Sequence, residues 1–290
     1  IREMLERRAD VSLVTLPEAL RKDISARKDA LNGADVAFLC LPDDAAREAA
    51  ALVENERTIV IDASTAHRTS PGWAYGFPEL SARHRAAIAN GRRIANPGCY
   101  ASGFIALVYP LVAAGVAAPD YPFVCHAVSG YSGAGKKGIA EYEAADRPMQ
   151  YDTPRLYALT QQHKHLPEMT AVCGLTRTPV FDPYVCDYYC GMTVTVPLFA
   201  DLLAKRVTAA DVKELLTAHY AGQRFVAVAQ EDGYIAANTL SGTNRMELLV
   251  NGNNERILLT ARLDNLGKGA SGAAIQNMNI ALGLDEGVSL

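Results

Sequence analysis

Strand-like apolar runs alternate with helical patterns along the first third of the chain. The apolar runs are ADVAFLCLP (34–42), RTIVIDAS (57–64) and RIA (93–95), and the alanine-rich segment DDAAREAAALVENE (43–56) separates the first two. Apolar strands separated by helices are typical of a parallel sheet with helices on its faces. The alternation therefore predicts a Rossmann-like, doubly wound α/β domain.

Two further elements are predicted before residue 34. IREMLERR (1–8) has a helical pattern and VSLVTL (11–16) is β-rich, so we expect a helix followed by a strand. A nucleotide-binding fold also carries a glycine-rich turn between its first strand and its first helix. This region contains no such turn, and no capping residue precedes IREMLERR. We therefore expect the first strand and its glycine turn to lie upstream of Ile1.

The pattern changes after residue 98, where strand-like runs follow one another with few helices between them. One clear helical pattern, AADVKELLTAHYAG, spans residues 209–222. The strand-like runs are FVCHAVSGYSGAG (123–135), YCGMTVTVPL (189–198), RFVAVAQ (224–230), RMELLVNGN (245–253) and ERILLTARLDN (255–265). This arrangement predicts an α+β domain built on a largely antiparallel or mixed sheet.

The length of the chain suits two domains. A chain of 290 residues is long enough for two domains that each have their own core. We expect residues 1–98, completed by a C-terminal helix at 268–290, to form a dinucleotide-binding domain. Residues 99–267 would then form the catalytic, substrate and oligomerisation domain.

Charge and cysteine usage argue against several classes of partner. The formal net charge is −4 and basic residues occur in runs of at most two, so neither a nucleic-acid surface nor a polybasic membrane patch is indicated. The six cysteines are scattered and form no CxxC pair, which argues against a disulfide framework or a zinc site. No apolar stretch approaches the ~18 residues of a membrane span. We expect a soluble cytoplasmic protein that binds no metal and acts on small molecules.

One cysteine stands in an unusual context. In RIANPGCYASG (93–103) the turn signal Asn-Pro-Gly precedes Cys99, and the apolar residues that follow predict a helix as far as Gly115. Cys99 would then lie at the helix N-terminus, where the helix dipole and the unpaired N–H groups lower the pKa of a thiol. The alternative is that Cys99 is a small buried hydrophobic residue.

A nucleophilic cysteine needs an acid or base, and histidine is the usual partner. HKHLPE holds His163 and His165 two residues apart, so in an extended segment their rings would share one face with about 6 to 7 Å between centres. We expect the more buried ring to transfer protons and the other to contact the anionic end of a substrate, with Glu168 and Arg177 as partners. Pro167 stiffens the chain beside His165 and so favours His163 for proton transfer.

Two glycine-rich segments and two strand ends are candidate ligand sites. SGYSGAGKKG (129–138) has the small residues of a backbone anion cradle, although it matches neither GxxxxGK[ST] nor GxGxxG, and a surface loop is the alternative. In GKGASG (267–272), small residues before a helix allow the close approach of a ligand or of a packed backbone. The carboxyl ends of parallel strands bind ligands, which points to Leu41, Pro42 and Ser64.

Basic residues near two strand ends suggest anion contacts. Arg68 follows the run RTIVIDAS and could grip a carboxylate or phosphate with its guanidinium, and a surface arginine is the alternative. The expected strand end at Pro17 is followed by Glu18, Arg21 and Lys22. Cations near this strand end accommodate the extra phosphate of NADP, so NADP is favoured over NAD.

Five motifs together resemble a known family. They are YGFPEL (75–80), ANPGCYASG (95–103), VSGYSGAGKKG (128–138), HKHLPEM (163–169) and KGASGAAIQNMN (268–279). They look like the signatures of the N-acetyl-gamma-glutamyl-phosphate reductases of arginine biosynthesis, and the resemblance extends from about Ala34 to Asn279. The length and the segment FDPYVCDYYCGMTVTVPL (181–198) resemble the shorter branch of that family.

The resemblance implies a two-domain fold shared with aspartate-semialdehyde dehydrogenase and an NADPH-dependent reduction of an acyl phosphate, N-acetylglutamyl 5-phosphate, to the semialdehyde. It implies that Cys99 forms a thioester, that His163 or His165 is the acid/base, and that the enzyme is a homodimer or homotetramer. Substrate binding is assigned to Arg68, Asn96, Ser129 and Glu168. Cofactor binding is assigned to Leu41, Pro42, Ser64, Gly130, Ser132, Gly133, Lys268, Gly269 and Asn277.

Two other functions remain open. An aspartate-semialdehyde dehydrogenase would have the same fold, cysteine and chemistry, but the HKHLPE cluster argues against it. A non-catalytic NADP-binding regulator could also use this fold. The presence of both Cys99 and the histidine pair argues against a regulator.

Overall fold

In a computed structural model of the protein, which describes residues 1–231 and 233–290, the chain divides into two units that each have their own core. Unit 1 comprises residues 1–97 and 271–290, and unit 2 comprises residues 98–270. Among the helices of the described chain, none is long and apolar enough to cross a membrane.

The elements are as follows. The helices are α1 (Arg2–Glu6), α2 (Ile24–Gly33), α3 (Asp43–Ala51), α4 (Ala82–Asn90), α5 (Cys99–Ala113), α6 (Gly135–Glu143), α7 (Leu166–Val172), α8 (Ala209–His219) and α9 (Gly272–Ala281). The strands are β1 (Val36–Leu39), β2 (Ile59–Asp62), β3 (Ala74–Tyr75), β4 (Arg93–Ala95), β5 (Val124–Gly130), β6 (Arg155–Leu156), β7 (Val180–Cys186), β8 (Met192–Phe199), β9 (Val226–Val228), β10 (Met246–Gly252) and β11 (Arg256–Leu263). Unit 1 holds α1 to α4, β1 to β4 and α9, and unit 2 holds the others.

Unit 1 is built on a parallel sheet with the strand order β1-β2-β4-β3. Every residue of β2 is buried, as expected for a strand covered on both faces. One face packs against α4 and α9 through the apolar cluster Leu5, Ile59, Ile61, Ile88, Ile94, Ala274, Ile275, Met278 and Ile280. On the other face Val60 packs with Ala49 and Val53. These layers confirm the predicted doubly wound α/β fold.

Residues 11–16 form no strand in the described part of the chain, so this prediction is wrong. Leu13 and Val14 are exposed, and the strand order of unit 1 gives the segment no ladder partner. Because β propensity reflects packing against neighbouring strands, an apolar run without such a neighbour stays irregular. Glu18–Leu20 form a 3₁₀ turn.

Helix α9 closes unit 1 and buries amides as well as apolar side chains. Gln276, Asn277 and Asn279 are fully buried. The helix covers Gly272–Ala281, which is shorter than the expected 268–290, because a π-helical turn at Gly267–Ser271 precedes it and turns follow it.

Unit 2 is built on a mixed sheet with the strand order β6-β7-β5-β8-β11-β10-β9. The pairs β5/β7 and β9/β10 are parallel, and the remaining pairs are antiparallel. The predicted mixed sheet is confirmed.

Helix α5 is the buried centre of unit 2. Gly103 lies so close to β8 that a Cβ at this position would meet Val194 Cγ2 at 2.6 Å. The Tyr220 hydroxyl, at the end of α8, donates to the Ala106 carbonyl at 2.8 Å. The helix ends two residues before the predicted Gly115, which takes a φ of +65°. Because packing on the sheet fixes α5, the position of its first residue is fixed as well.

Candidate active site

Cys99 is the first residue of α5 and is partly exposed. Gly98 caps the helix, and its carbonyl accepts the Ser102 N–H at 2.8 Å. The predicted helix start is therefore confirmed. The first N–H groups of a helix have no partners within it, so this end of α5 favours a thiolate at Cys99.

A buried carboxylate contacts the turn before Cys99. Glu168 is 1% exposed, and its Oε2 accepts the Gly98 N–H at 3.2 Å. Its Oε1 lies 4.0 Å from Nε2 of His165. Glu168 therefore hydrogen-bonds to the start of α5 and lies near the His165 ring. The sequence pattern does not show this link, because it depends on α7 packing against α5.

The histidine pair does not lie in an extended segment. His165 is the N-cap of α7 with a φ of −84° and a ψ of −17°, and the Leu166 N–H donates to the His163 carbonyl at 3.0 Å. The ring centroids are 4.7 Å apart, so the expected spacing is wrong because the chain turns into a helix here. His165 is 5% exposed and His163 is less buried. Arg177, expected as a partner, is exposed.

Two tyrosines lie beside the histidine rings. The Tyr100 ring centroid is 5.9 Å from that of His165, and the Tyr157 centroid is 5.7 Å from that of His163. The centroids of the two tyrosine rings are 6.3 Å apart. Burial raises the pKa of both phenols, and the nearby Cys99 raises it further, because a thiolate opposes a second negative charge. Both therefore stay protonated at neutral pH. No spacing in the sequence points to Tyr157, which reaches this place through the pairing of β6 with β7.

Several polar groups of the segment SGYSGAG (129–135) already have hydrogen-bond partners within unit 2. The N–H groups of Gly130, Tyr131 and Ser132 donate to backbone carbonyls of residues 188–191 at 2.9 to 3.0 Å. The Ser132 hydroxyl accepts from the Asn265 amide at 2.9 Å. Buried Ser129 donates its hydroxyl to the Gly130 carbonyl at 3.1 Å. Because the N–H groups of residues 130–132 already have partners, an anion bound by this segment would accept hydrogen bonds from N–H groups from Gly133 onward.

The π-helical turn before α9 approaches the nucleophile. A Cβ at Gly269 would lie 2.8 Å from the Cys99 Cβ and 3.1 Å from the Asp264 carbonyl oxygen, so only glycine fits here without movement. Lys268 is 2% exposed, and its Nζ lies 5.9 Å from the centre of the Phe225 ring. The structure thus places Gly269 against Cys99, a contact that the sequence does not reveal.

Some candidate residues of unit 1 lie after β1 and β2. Leu41 and Pro42 are exposed just after β1, and Pro42 is the N-cap of α3. Ser64 is buried, and its hydroxyl donates to Asp62 at 2.8 Å. Asp62 also pairs with Nδ1 of His67 at 2.6 Å. Leu41 and Pro42 are therefore accessible, whereas the Ser64 hydroxyl is engaged in the turn after β2.

The other candidates of unit 1 converge on Asn96. Arg68 donates its Nε to the Asn96 carbonyl at 2.9 Å and an Nη to the Ala63 carbonyl at 3.4 Å. Asn277 donates to the Gly76 carbonyl at 2.9 Å and to Oδ1 of Asn96 at 3.2 Å. Arg68 and Asn277 therefore hold the backbone that leads into the motif of the cysteine.

Two related proteins match almost the whole chain in sequence. An N-acetyl-gamma-glutamyl-phosphate reductase of Burkholderia lata is 47% identical over 294 aligned residues, which cover 98% of this chain and 92% of the relative. The N-acetyl-gamma-glutamyl-phosphate reductase 2 of Pseudomonas putida is 47% identical, with the same coverage of both chains. The chain belongs to the N-acetyl-gamma-glutamyl-phosphate reductase family.

This family membership agrees with two domain matches. Residues 9–89 match the family described as "Semialdehyde dehydrogenase, NAD binding domain", and residues 99–265 match "Semialdehyde dehydrogenase, dimerisation domain". The protein is thus an oxidoreductase of the semialdehyde dehydrogenase type with a nicotinamide-cofactor domain. The resemblance of the five motifs to N-acetyl-gamma-glutamyl-phosphate reductases is confirmed.

Solved structures show the same fold at low sequence identity. Aspartate semialdehyde dehydrogenase II of Vibrio cholerae, complexed with ASA, has a TM-score of 0.68 at 16% identity and covers 85% of this chain and 79% of that one. A probable aspartate-semialdehyde dehydrogenase of Pseudomonas aeruginosa has a TM-score of 0.68 at 18% identity, with 93% and 84% covered. This chain thus shares its fold with these two enzymes.

Proposed function

We propose that the protein reduces N-acetylglutamyl 5-phosphate to N-acetylglutamate 5-semialdehyde in arginine biosynthesis, with NADPH as the hydride donor and with release of phosphate. The observation that carries the proposal is Cys99 at the start of a buried helix, with Glu168 bonded to Gly98 and 4.0 Å from His165. Family membership suggests the substrate, and these residues suit the formation and release of a thioester.

Cys99 is the nucleophile. Its thiolate sulfur attacks the acyl carbonyl carbon, the bond from that carbon to the phosphate oxygen breaks, and inorganic phosphate leaves, which yields a thioester. N–H groups of the first turn of α5 can stabilise the oxyanion of the tetrahedral intermediate. The thioester carbonyl accepts hydride readily, because sulfur donates little electron density to it.

Unit 1 has a buried acceptor atom that suits the carboxamide of a nicotinamide. Within the described residues, Oδ1 of Asn277 is buried and accepts no hydrogen bond, so it can accept one from a carboxamide N–H. When bound, NADPH supplies the hydride that reduces the thioester carbon. Other cofactor contacts are assigned to Leu41, Pro42, Gly133 and Lys268. Ser64, Gly130 and Ser132 would shape the site, because the Ser64 hydroxyl and the N–H groups of Gly130 and Ser132 already have partners. The preference for NADP is supported by Arg21 and Lys22, two exposed cations suited to a 2′-phosphate, although the strand expected before them, at residues 11–16 of the described chain, does not form.

The two histidines have different roles. His165 is the more buried ring and lies beside Glu168, whose carboxylate can stabilise an imidazolium. It takes the proton from the thiohemiacetal oxygen as the Cys99 sulfur departs and the semialdehyde forms. Nδ1 of His163 accepts a hydrogen bond from the backbone N–H of His165 at 3.3 Å. The neutral His163 ring therefore carries its proton on Nε2, and this N–H can donate a hydrogen bond to a substrate carboxylate. Burial thus favours His165 for proton transfer, against the indication from Pro167.

Assembly and location complete the proposal. We assign a homodimer or homotetramer, supported by the match of residues 99–265 to a dimerisation domain. The cytoplasmic location expected from composition remains part of the proposal.

Cys99→Ser tests this function. The variant should lose reductase activity and keep its melting temperature, because a hydroxyl fills the same space but is not ionised at neutral pH. Without NADPH, intact-mass spectrometry should find an N-acetylglutamyl adduct on the wild type and none on the variant. Full activity of the variant would refute the thioester. A higher kcat/KM with aspartyl phosphate than with N-acetylglutamyl phosphate would favour the aspartate-semialdehyde alternative.

A further inference from the structure

Strand β6 leaves the sheet early. The antiparallel register pairs Leu156 with Tyr184, and its continuation would place Leu159 opposite Phe181. Leu159 is instead 74% exposed, because the chain turns away at Ala158, where φ is +57°. The backbone groups of Phe181 that face β6 therefore need another partner.

The side chain of Gln161 takes the place opposite Phe181. Its Nε2 donates to the Phe181 carbonyl at 2.7 Å, and its Oε1 accepts the Phe181 N–H at 2.9 Å. A carboxamide carries the same donor and acceptor as a peptide group, so it can extend a strand ladder. The Gln161 N–H also donates to the Ala158 carbonyl at 3.0 Å, which closes the turn.

The turn between these residues has an unfavourable backbone conformation. Ala158 and Gln161 have φ angles of +57° and +56°. Residues with a Cβ avoid this region for steric reasons. Such a conformation persists only where surrounding contacts maintain it, and it occurs often at functional sites. At Gln161 the two hydrogen bonds of the carboxamide are such contacts.

Phe181 connects this turn to the histidine pair. The backbone of Phe181 forms two hydrogen bonds with the Gln161 carboxamide. The Phe181 ring packs against His163 with 4.9 Å between ring centroids. His163 follows Gln161 by two residues, so little chain separates the carboxamide from the imidazole. We propose that Gln161 is a positioning residue for His163, because its carboxamide pins the turn and so sets where the ring meets the substrate. The inference rests on the proposed role of His163 in substrate binding.

Gln161→Met tests the inference, because methionine keeps the length of the side chain and removes both hydrogen bonds. The KM for the acyl phosphate should rise roughly tenfold with kcat changed by less than about threefold, since a displaced His163 weakens binding more than chemistry. Hydrogen exchange of the Phe181 amide should accelerate. Gln162→Met, at the exposed neighbouring residue, is the matched control and should change neither quantity. Gln161→Gly removes the same hydrogen bonds and favours the left-handed backbone, so it replaces Gln161→Met if the latter does not fold.

A double-mutant cycle decides whether Gln161 acts through His163. In the His163→Ala background, Gln161→Met should add little to KM, because the ring that it positions is absent. Additive effects of the two substitutions on KM would overturn the inference. It would also be overturned if Gln161→Met accelerated exchange of the Phe181 amide but left KM unchanged, or if Gln162→Met raised KM as much as Gln161→Met does. A wild type inactive with N-acetylglutamyl phosphate would refute the proposed function and this role, whereas Phe181 exchange would still report on the two hydrogen bonds.

Discussion

The buried polar side chains of α9 in unit 1 are amides, whereas those near the start of α5 in unit 2 include a carboxylate and an imidazole. In α9, Asn279 accepts from Nη1 of Arg8 at 2.6 Å and donates to the carbonyls of Glu286 and Val288 at 3.2 and 3.0 Å. In unit 2, Glu168 and His165 can change charge. An amide with fixed partners can only hold structure, whereas a titratable group can also move a proton. Changes at an amide whose polar atoms all have partners, such as Asn279, should therefore reduce stability, and changes at Glu168 or His165 should reduce activity.

The largest expected effect is on catalysis in unit 2. His165→Ala should lower kcat by roughly 10²- to 10⁴-fold and remove one pKa from the pH profile of kcat, since general acid–base catalysis has that magnitude. His163→Ala should mainly raise KM, because it removes a substrate contact. Steady-state kinetics between pH 5 and 9 would show the difference. The opposite pattern would exchange the two roles, and unchanged kinetics in both variants would exclude the pair from the active site.

In unit 1 the expected effect is on stability. Asn279→Ala removes the partner of Nη1 of Arg8 and of the Glu286 and Val288 carbonyls, while Arg8 keeps its bonds to Asp10. This loss should lower the free energy of unfolding by about 1 to 3 kcal/mol. Urea titration followed by circular dichroism measures this change. The kcat per folded molecule should stay the same. Asn90→Ala is the matched control, because this asparagine is exposed on α4 and its side chain, among the residues that the structure describes, bonds only to the Ala86 carbonyl. A loss of kcat without a loss of stability would contradict the comparison.

A smaller effect is expected at the contact between the π-helical turn and Cys99. Gly269→Ala places a methyl group 2.8 Å from the Cys99 Cβ, so the nucleophile or the turn must shift. We expect roughly a tenfold loss of kcat, because small displacements of reacting groups reduce rates by such factors. Gly33→Ala provides the control, since a Cβ there has no neighbour within 4 Å. If Gly269→Ala lost only stability, this contact would belong with the structural set.

The smallest effect is expected at an exposed ion pair outside both polar sets. Arg147 donates to Asp187 at 2.8 and 2.6 Å and lowers the pKa of that carboxyl below its ordinary 3.8. The pair therefore stabilises the fold above that value, and the contribution is lost as pH falls through the lower folded pKa. Solvent screening keeps the contribution small. Melting temperatures of the wild type and Asp187→Asn should differ slightly at pH 7 and converge near pH 2. A constant difference across this range would contradict the assignment.

Local patterns predicted the long apolar elements of the fold. Strands β1, β2, β8 and β11 and helices α3 and α5 follow the predicted runs. Helices α6 and α7 were not predicted, since the first begins with glycine and lysines and the second has seven residues including a proline. Such segments have weak intrinsic helicity, and tertiary packing determines their conformation.

The sequence by itself determined that Cys99 lies at a helix start, because the Asn-Pro-Gly turn and the apolar run after it are both local signals. Only the tertiary structure decided that Glu168 bonds to Gly98, 70 residues away, and that Gln161 completes the ladder at Phe181. It also decided which histidine is more buried. These features depend on how helices and strands far apart in the chain pack together, and no spacing pattern along the sequence encodes that packing.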